Sequence, residues 1–208
     1  MKKKNLILGT FLAITAILFS SCGESGSVVT IGSQVWTSKN LDVTTYRNGD
    51  VIPQVQDKSA WVKLETGAWC YYDNDASNGT KYGKLYNWHA VQDIRGLAPN
   101  GYHIPSDPEW TILTDYLGGL SKAGTKMKST SGWNNNGNET NSSGFLGLPG
   151  GARFDGTFWY IARSGCWWST SEDNYFNAWS RYLRYDGSVK RSSSDNKADG
   201  LSVRCLRD

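Results

Sequence analysis

Three kinds of side chain in this sequence have chemistry to offer: thiols, a pair of imidazoles, and a C-terminal stretch crowded with Tyr, Ser, Asn, Asp and Arg. Cys70, Cys166 and Cys205 would act as nucleophiles or redox groups only beside a group that lowers the thiol pKa. No Cys-x-x-Cys pair occurs and His89 and His103 stand alone, so zinc-ligand spacing is missing. Gly-x-Ser-x-Gly is also absent, and two His among many Ser and Asp define no Ser/His/Asp triad. The expectation is a chain without catalytic residues.

Calcium has one weak candidate. Asp73-Asn74-Asp75-Ala76-Ser77-Asn78-Gly79 sets oxygen ligands at alternate positions, as calcium loops do. The Gly falls one place late for a helical calcium loop and the twelfth position is Lys84. Asp73 and Asp75 therefore read more simply as parts of an Asx-rich turn, and no other cofactor is expected. Residues 173–199 hold the stronger signal. Against a framework of Trp167, Trp168, Trp179, Leu183, Leu201 and Val203 lie Asn174, Tyr175, Asn177, Ser180, Tyr182, Arg184, Tyr185, Asp186, Ser192, Ser193, Ser194, Asp195 and Asn196. Tyr supplies rigid contact area and Ser and Asn adaptable hydrogen bonds, the composition of recognition surfaces. Tyr175, Ser180, Tyr182, Arg184 and Tyr185 are the candidate ligand contacts; the competing reading is a solvated hairpin face with polar turns.

These residues need a framework. Alternation through Val29, Ile31 and Val35 about Gly32-Ser33 predicts a hairpin, and residues 68–72 a strand ended by a polar loop at 73–79. Ser106 followed by Pro108 and Glu109 predicts a capped helix, with Trp110, Leu113, Tyr116 and Leu117 on one face and Gly118-Gly119 at its end. A weaker helix is expected over residues 85–91. Asp186-Gly187 between two apolar-alternating runs predicts a second hairpin, and residues 201–206 a last strand. About two helices among many short strands make the class α+β, with long irregular loops. Trp88, Trp110 and Trp168 are expected in the core rather than as sugar-stacking platforms.

The N-terminus carries an address. Residues 1–21 join Lys2, Lys3 and Lys4 to an uncharged apolar run and then small residues, the layout of a secretory signal. The run is too short to span a hydrocarbon core of about 20 helical residues. Leu18-Phe19-Ser20-Ser21-Cys22 resembles a bacterial lipobox, with Phe19 where Leu is usual, so Cys22 is the expected lipidation site and residues 22–27 a flexible tether. The chain has 22 basic and 19 acidic residues for a net charge of +3, an excess that the three signal lysines account for entirely. A neutral remainder without a basic run excludes a nucleic-acid partner. Residues 28–208 read as one domain, exported and tied by lipid to the outer membrane, facing the cell surface.

Six motifs occur in order: Trp69-Cys70-Tyr71-Tyr72-Asp73-Asn74-Asp75, Tyr82-Gly83-Lys84-Leu85-Tyr86-Asn87-Trp88, Leu97-Ala98-Pro99-Asn100-Gly101-Tyr102-His103-Ile104-Pro105, Leu148-Pro149-Gly150-Gly151, Trp167-Trp168-Ser169-Thr170-Ser171-Glu172 and Leu201-Ser202-Val203-Arg204-Cys205. Together they resemble the Fibrobacter succinogenes major paralogous domain of exported bacterial lipoproteins. The resemblance implies a C-type-lectin-like fold related to the sulfatase-modifying enzymes, and no settled activity. Those enzymes use two neighbouring reactive cysteines near the C-terminus; here Cys205 has no such neighbour in sequence, and a Cys70–Cys205 disulfide with Cys166 spare is the favoured alternative among several pairings. The Glu-Pro-Asn, Gln-Pro-Asp and Trp-Asn-Asp sugar-site motifs of lectins are missing, the nearest fragment being Trp133-Asn134-Asn135-Asn136. Relatives diversified by retroelements scatter Asn, Tyr, Ser and Asp near the C-terminus, as residues 173–199 do. The expected function is non-catalytic binding of a protein or glycan ligand, as a receptor or adhesin; a thiol-dependent oxidase and a purely structural surface module are the alternatives.

Overall fold

Gly32, at φ 61, turns the N-terminal chain back on itself. Strands β1 (Val28–Ile31) and β2 (Gln34–Thr37) pair antiparallel around it, from Ile31↔Gln34 to Val28↔Thr37, as the alternation predicts. The computed structural model describes residues 27–208, so the signal segment 1–21, the Cys22 anchor and all of the tether but Ser27 lie outside the described residues. The chain continues through α1 (Lys58–Trp61), β3 (Trp69–Cys70), a 3₁₀ turn (Tyr72–Asn74), α2 (Ala76–Tyr82), β4 (Leu85–Tyr86), α3 (Trp88–Val91) and β5 (Tyr102–His103). Then come α4 (Asp107–Tyr116), α5 (Leu120–Met127), β6 (Gly150–Phe154), β7 (Thr157–Ile161), β8 (Ser164–Glu172), β9 (Asn177–Arg184), β10 (Val189–Asn196) and β11 (Leu206–Arg207). The class is α+β, with strands in the majority.

Five α-helices form among the described residues where about two were expected. Helices α1, α2 and α3 are too short to show a period, and side-chain caps begin them: Asp57 accepts from Ala60 N, Asp75 from Ser77 N, and Asn87 from Ala90 N. The expected polar loop at residues 73–79 thus becomes the 3₁₀ turn and the start of α2, and the Asp75 carboxylate is committed to that cap. In the expected helix over residues 85–91, Leu85 and Tyr86 first pair with β3 as β4, and Asn87 starts α3. Residues 201–206 split likewise: Leu201 and Ser202 make isolated bridges to Tyr86 and Trp167, and only Leu206 and Arg207 form β11. The predicted capping box holds at α4, where Glu109 N donates to Ser106 Oγ at 3.4 Å and Ser106 N to Glu109 Oε2 at 2.7 Å.

Two sheets carry most of the structure, one in the order β1-β2-β11-β5 and one in the order β10-β9-β8-β6-β7. The larger sheet divides its residues by alternation. Trp167, Leu183 and Val189 face one core cluster with Trp110 and Leu113 of α4, whereas Cys166, Trp168 and Ala178 face another with Tyr86 and Trp88. Trp88, Trp110 and Trp168 are buried, as expected. The same alternation separates the cysteines. In the β3–β4 ladder, Trp69 and Tyr86 point to the cluster that contains Cys205, whereas Cys70 and Leu85 point to a third cluster with Trp61 and Tyr72. The expected Cys70–Cys205 disulfide is not formed; Cys70, Cys166 and Cys205 are free buried thiols.

Helix α4 is locked to the larger sheet by an ion triad in which Asp107 and Arg181 are buried and Arg191 is exposed. The Asp107 carboxylate takes Arg181 Nη1 at 2.5 Å and Arg191 Nη2 at 2.6 Å. Burial alone would raise the Asp107 pKa, but the hydrogen bonds and charges of Arg191 and Arg181 outweigh it and hold the carboxyl below its usual value. Replacing Asp107→Asn removes the counter-charge of the fully buried Arg181 guanidinium and should cost about 3–5 kcal/mol in urea unfolding. At the other sheet, His103 Nδ1 lies 2.7 Å from Asp208 and Nε2 lies 3.0 Å from Glu109. Burial pulls the imidazole pKa down, yet these two carboxylates raise it above its ordinary 6.5. Their contribution is complete below pH 6.5 and disappears as the pH rises through the raised folded value. The melting-temperature difference between the unaltered chain and His103→Gln should therefore shrink from about pH 5.5 to about pH 8.5, which isolates the His103 contribution.

Candidate functional site

A kinked hairpin shapes one wall of the site. At φ 67, Tyr160 leaves the extended conformation within β7, and Gly151 opposite it takes φ 66, where a Cβ would lie 2.5 Å from the Trp159 carbonyl oxygen. The kink breaks the strand alternation, so the neighbours Trp159 and Tyr160 both turn their rings toward the same side and are half exposed. Ala162, at φ 60, lies in the turn that presents Arg163 and leads into β8 at Ser164.

The β9–β10 hairpin makes the facing wall. Asp186 closes its turn by accepting from Ser188 N at 3.0 Å, and Gly187 supplies φ 84. Tyr182 and Lys190 are register partners across the hairpin, as are Ser164 and Arg184 across β8–β9. Two backbone contacts fix the end of the hairpin: Tyr185 N donates to the Arg163 carbonyl at 3.0 Å, and buried Lys128 Nζ donates to the Tyr185 carbonyl at 2.9 Å. Helix α5 approaches so closely that a Cβ on Gly124 would meet the Gly187 carbonyl at 2.1 Å.

Between these walls runs a trough of two adjoining hollows, each of about 340 Å³. Tyr160, Tyr182 and Lys190 line both; Arg163, Ser164, Arg184 and Tyr185 complete one, and Phe154 and Trp159 the other. The Phe154 and Tyr182 rings stack at 6.4 Å between centroids with 8° between planes. No acidic side chain lines either hollow. Among the described residues Arg163 and Lys190 have no ion-pair partner, and Arg184 has the half-exposed Asp186 at 3.9 Å.

Tyr182 is anchored from below. Its hydroxyl donates to Asp195 Oδ1 and the Ser180 hydroxyl donates to Asp195 Oδ2. Burial first, and then the Cys166 and Asp195 charges, push the Tyr182 pKa far above the ordinary phenol value, so the hydroxyl stays a donor. Of the expected contacts, Tyr182, Arg184 and Tyr185 meet at the trough. Ser180 is fully buried and serves Asp195 instead. Tyr175 is 82% exposed beside Phe176 on the β8–β9 loop and borders a different hollow, with Trp88, His89 and Lys197. Residues 173–199 are therefore not a uniformly free surface, since Ser180, Ser192 and Asp195 are all buried.

Sequence reasoning missed Phe154, Trp159, Tyr160, Arg163, Ser164 and Lys190. The run Phe158-Trp159-Tyr160 was a legible signal, because three consecutive aromatics cannot all face the core of an alternating strand. No group of three or more His, Cys, Asp or Glu suited to a metal ion occurs among the described residues. The thiols are shielded: burial raises Cys70 and Cys205 to about 12 and Cys166 well above the ordinary value.

The family model described as Fibrobacter succinogenes major domain matches residues 29–207. No curated protein and no solved structure matches the chain. Tyr182→Phe keeps the stacked ring and removes one donor from Asp195. It should lower stability by about 1–3 kcal/mol in denaturant unfolding, as expected for a buried acceptor deprived of a partner.

Proposed function

The chain belongs to the Fibrobacter succinogenes major domain family, and from that premise we propose that it is an exported lipoprotein that binds a ligand without catalysis. Its trough between the β7–β8 turn and the β9–β10 hairpin is the binding site. The tripartite segment 1–21 and the lipobox-like Cys22 support export and lipid anchoring at the outer membrane, with the domain facing the cell surface as a receptor or adhesin. The pairing of the N-terminal strand β2 with the last strand β11 supports the C-type-lectin-like arrangement that the family resemblance implies.

One observation carries the binding reading: three cations with at most one weak carboxylate partner stand around half-exposed aromatic rings in a preformed hollow. Tyr and Arg are the side chains that most often dominate binding energy, because they combine large contact area with directed hydrogen bonds. The thiols support the non-catalytic half. A nucleophilic or oxidase cysteine must reach its thiolate near neutral pH, and burial holds all three in the protonated form.

The test is a screen of glycans and surface proteins against the full chain extracted in detergent, with and without calcium. The double variant Arg184→Ala/Tyr185→Ala should weaken whatever ligand emerges by about tenfold or more. Both residues are exposed, so the melting temperature should move by no more than about 2 °C. Undiminished binding in this variant would remove the trough as the site.

A further inference from the structure

We infer that the ligand of the trough is an anionic saccharide, a sugar chain bearing carboxylate or sulfate groups; this rests on the binding reading above and names its ligand class. The first argument is charge. Without its three signal lysines the chain is formally neutral, yet Arg163, Arg184 and Lys190 converge on one hollow whose lining contains no acidic residue. Several of the cations elsewhere in the domain are paired with carboxylates: Arg181 and Arg191 with Asp107, Arg95 with Asp93 and Asp50, Lys84 with Asp42 and Lys197 with Glu172. Unpaired guanidiniums select planar, bidentate anions such as carboxylate and sulfate.

The second argument is shape. Phe154 and Tyr182 form a stacked floor, while Trp159 and Tyr160 stand half exposed beside it. Ring faces of this kind take the flat C–H face of a pyranose, with the cations beside them for its acidic substituent. An acidic peptide would bind a sheet most simply by adding a strand, and both edges resist that. On the β7 edge, Tyr160 in the left-handed region interrupts the row of backbone groups, and on the β10 edge a register shift between Ser192 and Asp195 breaks the ladder.

The experiment measures binding of oligogalacturonate, its neutral methyl ester, dextran sulfate, unmodified dextran and poly-glutamate to the full chain in detergent. Oligogalacturonate or dextran sulfate should bind, at least about tenfold more tightly than its neutral counterpart, and more weakly as salt rises. Which of the two binds better tells carboxylate from sulfate. Arg163→Gln/Lys190→Gln should reduce that binding by about tenfold, and Trp159→Ala should reduce it while leaving the salt dependence intact. All three side chains are exposed, so an unchanged circular dichroism spectrum and melting temperature show that the variants fold. Equal binding of charged and neutral sugars, poly-glutamate binding as tight as the saccharides, or no binding by any probe would each overturn the assignment. None of these results touches the broader binding reading, which stands or falls with the Arg184→Ala/Tyr185→Ala variant against the ligand recovered in the screen.

Discussion

Buried backbone carbonyls in long irregular loops need donors, and in this fold buried arginines supply them. Arg204 is fully buried and gives its guanidinium to the carbonyls of Thr37, Phe145 and Leu146 and to Asn40 Oδ1, at 2.7 to 2.9 Å, with its face 4.4 Å from the Phe145 ring. Arg153 does the same for Val55, Gln56 and Gly156, between the rings of Trp61 and Phe158. Neither has a carboxylate partner among the described residues, and burial draws the Arg204 pKa down to about 9. A planar fork of five donors over an aromatic face can hold several loops at once, where a strand ladder would demand regular backbone.

The tryptophans extend the same solution. Their indole N–H groups reach main-chain carbonyls of loops and strands from inside the core: Trp61 to Ala198, Trp69 to Ile52, Trp88 to Ser169, Trp168 to Tyr86. Each ring supplies buried area and one cross-link, which suits a domain whose strands often pair over two residues. The trough inherits its rigidity from this interior. Helices α4 and α5 brace one face of the larger sheet through Asp107 and the close approach at Gly124, while Asp195 holds Tyr182 from the other.

Charge is divided by the same logic. Guanidiniums with defined acceptors organise the interior, and those left without acceptors gather at a single surface hollow. Formal neutrality therefore conceals a local concentration of positive charge, and field lines from it are focused by the apolar ring faces around it.

Much of the framework was legible because the signals were local. The Gly32 and Asp186-Gly187 hairpins and the Ser106 capping box depend on residues within a few positions of one another, and all three form as read. Family membership was legible for a related reason, since the six ordered motifs contain Trp69, Trp88, Trp167, Trp168 and Arg204, which the interior uses. The short helices α1 to α3 were not legible, because one turn carries no period and only its cap marks it. Tyr182, Arg184 and Tyr185 could be proposed from composition, but composition is blind to strand alternation and curvature, which bury Ser180 and carry Tyr175 to a different hollow. The separation of Cys70 from Cys205, and the convergence of Trp159, Tyr160 and Arg163 with Tyr182, Arg184 and Tyr185 of a later hairpin, were decided by tertiary structure alone. Which face a residue occupies depends on the partner strand it meets, and that partner is chosen by packing across the whole chain.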